Sequence, residues 1–242
     1  MLAALALVGS VYAAFSPGSA AGAPTSADDV QAGKALYQNY CITCHGFAGQ
    51  GVLNRGPSLI GVGSAAVEFQ VSTGRMPAAR QEGQDEQKQP YLTLEQAQQI
   101  GAYIQSLGGG PQLPDGDNLH VGGNTAAGGE LFRVNCSSCH AFGGGGGALS
   151  SGKFAPELSK ATDRQIYAAM LSGPQNMPVF GDNQLSQQEK ADIIAYIRNL
   201  DTDEDPGGLG IGRIGPVAEG LVIFLVGMVV LIFATVWIAG KS

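Results

Sequence analysis

The chain has 242 residues, enough for one large domain or two small ones. Glycine fills 37 positions, roughly twice the usual ~7% share, and charged residues are only 14% against about 25% in an ordinary soluble domain, which disfavours a charge-rich disordered chain and a coiled coil. The net charge of -7 argues against a nucleic-acid partner, because a polyanion needs a basic face, and four cysteines are too few for a disulfide scaffold of this length.

Residues 1–23 form a hydrophobic segment without a charged side chain. It reads as the outer end of a retained signal anchor. A cleavable signal peptide is the alternative, with Ala21-Gly22-Ala23 resembling a cleavage site. Either way the segment directs the middle of the chain across a membrane.

A first unit is expected over 24–110. Val30, Gly33, Leu36, Tyr37 and Tyr40 share one face of a helix opened by Ser26 or Thr25 and running into Cys41. The segment 92–107 reads as a closing helix, with Thr93 and Gln96 as a capping box and Gly108 at the left-handed C-cap position. The stretch 111–127 is rich in turn formers and reads as a linker. Its histidine, His120, is expected to be solvated.

A second unit over 128–203 repeats the first. GKALYQNYCITCH (33–45) matches GGELFRVNCSSCH (128–140), and LTLEQAQQIGAYIQSL (92–107) matches LSQQEKADIIAYIRNL (185–200). Ser186 and Glu189 repeat the capping pair, and no run of alternating strand residues stands out. Two copies are too few for a solenoid, so this is a tandem pair of helical domains. An acidic, glycine-rich stalk (204–219) leads to Gly220–Gly240, a run of 21 uncharged residues. As a helix it spans about 31 Å, enough to cross a bilayer core. Lys241 beyond it places the C-terminus in the cytoplasm and the two units outside.

All four cysteines fall into two Cys-x-x-Cys-His motifs, Cys41/Cys44/His45 and Cys136/Cys139/His140. This is the c-type haem attachment pattern. Two thiols three residues apart can bond both vinyls of one haem, and the adjacent histidine can meet the iron. A four-cysteine zinc site leaves both histidines unexplained, and a thioredoxin-type pair lacks its βαβ setting. Each motif is followed by one Met-Pro, Met76-Pro77 and Met177-Pro178, at matching points of the two copies. These methionines are the expected sixth ligands; a thioether raises the haem potential and suits electron transfer. The expected cofactors are therefore two covalent haem c groups.

Each copy resembles a class I cytochrome c domain: a helix into CxxCH, a Pro-x-Leu-type loop, Met-Pro and a closing helix. Gly56-Pro57-Ser58-Leu59 and Ala155-Pro156-Glu157-Leu158 carry the loop resemblance. The resemblance implies that the Pro57 and Pro156 carbonyls orient the two histidines. It also implies that Tyr103 and Tyr196 pack near Tyr37 and Phe132. The order of two such domains and a C-terminal span resembles the dihaem cytochrome cc subunits of actinobacterial cytochrome bcc complexes. That implies an all-α chain in the cell membrane, an electron-transfer subunit of a quinol:cytochrome c reductase with no catalytic side chain. The implied partners are cytochrome b, the Rieske iron–sulfur protein, the copper subunit of an aa-type oxidase and membrane lipid. A free-standing dihaem carrier, or a cytochrome subunit of another dehydrogenase or oxidase, is the alternative. A dihaem peroxidase needs an openable iron, which two Met-Pro ligands disfavour.

Overall fold

In both halves of the chain, two helices must cross closely enough to bury an aromatic pair, and glycine makes that possible. The computed structural model describes residues 26–80, 82–202 and 216–241. The N-terminal segment 1–23, its Ala21–Ala23 site and most of the acidic stalk lie outside the described residues.

In the first half, α1 (Ala27–Tyr40) is capped by the Ser26 side chain, which accepts from the Asp29 N–H. A one-turn helix α2 (Ile42–His45), then α3 (Gly63–Ser72) and α4 (Leu94–Gly108), follow. Thr93 and Gln96 form a reciprocal capping box at the start of α4. The C-cap glycine is Gly109 at φ 70°, one residue later than expected, because the last turn runs through Gly108. Helix α1 crosses α4 at Gly33, where an added Cβ would stand 1.8 Å from the Gln99 carbonyl oxygen. That approach brings the Tyr37 and Tyr103 rings to 5.2 Å, and Tyr37 donates its hydroxyl to the Gly46 carbonyl at 2.6 Å.

The second half repeats this with α5 (Thr125–Asn135), α6 (Ser137–His140), α7 (Asp163–Ser172) and α8 (Gln187–Thr202). Gly128 takes the place of Gly33, its added Cβ 1.9 Å from the Asp192 carbonyl oxygen. Phe132 and Tyr196 meet at 5.4 Å. A short departure from the helical reading starts at the last of five consecutive glycines, 143–147: Gly147–Ala148 (β1) pairs antiparallel with Phe154–Ala155 (β2). Pairs this short carry no alternating pattern for a sequence to display.

The halves are not beads on a string. Helix α3 packs on α7, and Ala65 and Phe69 of the first half share one apolar layer with Leu113 of the linker and Ile166, Met170 and Phe180 of the second. Arg164 and Glu68 pair across the junction. The linker is anchored as well. His120, expected to be solvated, points its ring Nδ1 at the Asp163 carboxylate, whose other oxygen accepts from Arg198.

The last described helix, α9 (Pro216–Ala239), contains a 20-residue stretch, Gly220–Ala239, of mean hydropathy 3.0 with no part buried against the rest of the chain. It is long and apolar enough to cross a membrane. Lys241 sits over the Trp237 ring at 4.0 Å, a cation and an aromatic together at one end of the span.

Candidate functional site

The Cys-x-x-Cys-His motifs sit where one helix breaks and a single new turn begins. Cys41 caps α1 at φ -118°, and Cys136 caps α5 at φ -119°. The next turn bonds His45 N–H to the Cys41 carbonyl at 2.9 Å and His140 N–H to the Cys136 carbonyl at 2.9 Å. First cysteine and histidine therefore share one face of that turn, with the second cysteine beside them. Cys41 packs against the first core and Cys136 against the second, so the two cysteine pairs serve separate sites rather than one four-thiol centre.

Each histidine is fixed through its ring. Nδ1 of His45 lies 2.8 Å from the Pro57 carbonyl oxygen, and Nδ1 of His140 lies 3.0 Å from that of Pro156. A carbonyl only accepts, so Nδ1 carries the proton and Nε2 keeps its lone pair for a metal. Burial pulls the His140 pKa down, outweighing the opposite effect of its bond to Pro156, and this favours the neutral ligand form. The Cys41 and Cys136 thiols are pushed up to about 11, first by burial and then by the neighbouring thiols of Cys44 and Cys139.

Each candidate methionine packs on the core of its own half. Met76 and Cys41 are both half-buried against the core of Tyr37, Val67, Val71 and Ile100. Met177 and Cys136 pack in the same way against the second core. Backbone bonds hold the ligand loops, from Met76 N–H to the Gln70 carbonyl at 2.9 Å and from Met177 N–H to the Pro174 carbonyl at 3.0 Å. In the second half these pieces line one cleft of about 1230 Å³, open mouth included, shared by Cys136, Cys139, His140, Pro156 and Met177. Its lining runs on through Phe132, Ile166, Met170 and Phe180, an apolar wall suited to a flat macrocycle rather than a single ion. Thioether-forming thiols, a histidine with a free Nε2, a thioether and an apolar cleft fit haem c.

One part of the second cleft was not foreseen from the sequence. Phe69, Arg75 and Gln84 of the first half form part of its wall. Gln84 is locked to Phe154, donating to its carbonyl at 2.7 Å and accepting from its N–H at 2.9 Å. The one signal in the sequence was a charged residue directly beside a ligand candidate, Arg75 before Met76.

Comparison with known proteins agrees with the duplication. A family model described as cytochrome c oxidase, cbb3-type, subunit III matches residues 28–104 and again 123–197. The chain is 51% identical over 219 residues to the cytochrome bc1 complex cytochrome c subunit of Mycobacterium leprae, covering 88% of this chain and 76% of that one. It is 47% identical over 250 residues to the subunit of the same description from Mycobacterium bovis, covering 100% and 89%. A cytochrome c6 from Leptolyngbya boryana matches over 77 residues at 36% identity, 31% of this chain but 89% of that protein, as one half alone would. Cytochrome c domains imply covalent haem c, and two such domains imply two haems.

Proposed function

The chain belongs to the family of cytochrome c subunits of cytochrome bc1 complexes, and on that premise we propose that it is a membrane-anchored dihaem wire. It takes electrons from the Rieske iron–sulfur protein of a menaquinol-oxidising complex and hands them to the copper centre of an aa-type oxidase. Haem c at each site supplies the one-electron redox chemistry. Cys41, Cys44, Cys136 and Cys139 would attach it through thioethers, His45 with Met76 and His140 with Met177 would ligate the iron, and the Pro57 and Pro156 carbonyls orient the histidines. No acid, base or nucleophile is required of the chain. Its residues hold the ligands rigid, exclude water and set the potential.

The observation that carries this reading is the recurrence of one arrangement. Cysteine and methionine share a core, and Nδ1 of the histidine is bonded to a proline carbonyl, in both halves. The two halves are joined by α3 and α7 into one unit, as a relay needs. The C-terminal helix keeps that unit beside membrane partners at high effective concentration, with the haem domains on the extracytoplasmic side and the C-terminus in the cytoplasm. Cytochrome b and the Rieske protein are the partners within the complex, and lipid surrounds α9.

The match to the oxidase-subunit family favours a second reading, a cytochrome subunit of a terminal oxidase or a free-standing carrier. Purification in mild detergent separates the two. The first reading requires cytochrome b and a Rieske protein to accompany the chain, with two haem c per chain by pyridine haemochromogen. An oxidase without cytochrome b in the same particle would move the chain to the second.

A further inference from the structure

Arg75 is a buried cation without a salt bridge among the described residues; Asp85 acts on its charge, but not at contact distance. The residue is 7% exposed, and among the described residues no carboxylate stands within salt-bridge distance of it. Its guanidinium lies 4.9 Å above the Phe69 ring. An aromatic face only partly replaces the anion that a buried charge requires. Arg75 belongs to the first half, directly before Met76, yet it helps to line the cleft of the second half together with His140, Pro156 and Met177.

The other charged groups of that cleft are already engaged. Glu157, its acid, is paired with Lys160 and accepts from the Ser159 hydroxyl. Lys153 donates to the Asn176 side chain at 2.9 Å. Arg75 is thus a cation directed at an apolar cleft that fits a haem, and a haem brings two carboxylates of its own. The wall that carries it is fixed, because Gln84 bonds both backbone groups of Phe154 and Gln175 donates to the Asp85 carbonyl at 2.8 Å.

We propose that Arg75 reaches across the domain boundary to pair with a propionate of the haem held by Cys136, Cys139, His140 and Met177. The inference rests on the dihaem reading above. It makes the second haem site a composite of both halves, and it makes the ligand loop of the first haem part of the charge environment of the second. A planar guanidinium suits this task because it can hold a carboxylate through two parallel bonds.

The test uses the full-length chain in its purified membrane complex. Haem stoichiometry comes first: one covalent haem instead of two in the unsubstituted chain would overturn the underlying reading as well. With two haems present, a Met76→His background moves the first haem to low potential and leaves one high-potential wave for the second. In that background Arg75→Gln should lower the wave and make it fall with rising pH through the neutral range, as an unpaired propionate ionises. Arg75→Lys, which keeps the charge, should restore the potential and the flat pH profile. An unchanged wave overturns the proposal, and so does a shift with no new pH dependence that lysine fails to rescue. If the Gln chain does not mature, the resonance Raman propionate bending band of the second haem is read in Arg75→Lys. It should move as a two-bond contact becomes a single one, and an unmoved band overturns the pairing.

Discussion

Arg164 grips Glu68 through two parallel bonds, Nε to Oε1 and Nη2 to Oε2, each 2.7 Å. The pair joins α7 of the second half to α3 of the first, and its side chains are only 14% and 9% exposed. Arg164 also donates to the Gly116 carbonyl at 2.8 Å, so the linker is drawn into the same junction. Removing one partner strands a buried charge, which costs about 3–5 kcal/mol, whereas replacing both with apolar groups of similar size is far milder. Glu68→Ala and Arg164→Ala should each lower the unfolding temperature and speed proteolysis near residues 108–124. The double variant Glu68→Leu with Arg164→Met should lose less than either. Equal proteolysis rates in all four chains would show that the pair does not hold the halves together.

The two helix crossings make a second, sharper case. A methyl group at Gly33 or Gly128 would fall inside the van der Waals radius of a backbone oxygen, 1.8 Å from Gln99 and 1.9 Å from Asp192. Backbone cannot move aside as a flexible side chain does. Gly33→Ala and Gly128→Ala should therefore each cost at least the ~1–3 kcal/mol of an overpacked core and disturb the Tyr37–Tyr103 or Phe132–Tyr196 contact. Gly145→Ala is the control. Nothing lies within 4 Å of its added Cβ, so its effect should stay within about 0.5 kcal/mol. Denaturant unfolding of the three variants decides it, and equal midpoints would contradict the crossing geometry.

Much of this was legible because the chain states its plan twice. The helices into Cys41 and Cys136 and the capping pairs at Thr93 and Ser186 rest on local signals that recur in both copies, and the aromatic partners of Tyr103 and Tyr196 follow from the family resemblance. The meeting of the halves was not legible. Glu68, Phe69, Arg75 and Arg164 have no periodic or spacing signature, since their roles depend on how α3 docks on α7. The Asp163 contact of His120, whose side chain is still 38% exposed, was hidden for the same reason. The two residues lie 43 positions apart, and a turn-rich linker gives no sign of being pinned.

Asp163 supplies a pH dependence. Burial pushes its carboxyl pKa up, but the bonds and charges of His120 and Arg198 outweigh that and hold it below the usual carboxylate range. A folded-state value below the unfolded one means that the ionised carboxylate stabilises the fold. This contribution is complete above the ordinary aspartate value of about 3.9 and is lost as pH falls through the depressed folded value. Asp163→Asn should lower stability at neutral pH and flatten the acid limb of the stability curve below about pH 4. Unfolding midpoints measured down to about pH 2 provide the check. An acid limb as steep as that of the parent chain would assign the pH dependence to other carboxylates.

The methionines offer the most direct test of the two sites. Met76 and Met177 sit on loops held by single backbone bonds to Gln70 and Pro174, each with its side chain half-buried on the core that also carries the first cysteine of its motif. Thioether ligation favours the reduced iron and raises the potential. Met76→Ala or Met177→Ala should leave both haems attached, because attachment depends on the cysteines, while lowering the potential of one haem and removing half of the sulfur–iron charge-transfer absorbance. The double variant should lose all of that band. Because Arg75 of the first ligand loop reaches the second cleft, Met76→Ala should also disturb the second haem slightly, whereas Met177→Ala should leave the first untouched. A redox titration with two separable waves reads both effects together, and an unaltered band in either single variant would remove that methionine from the ligand set.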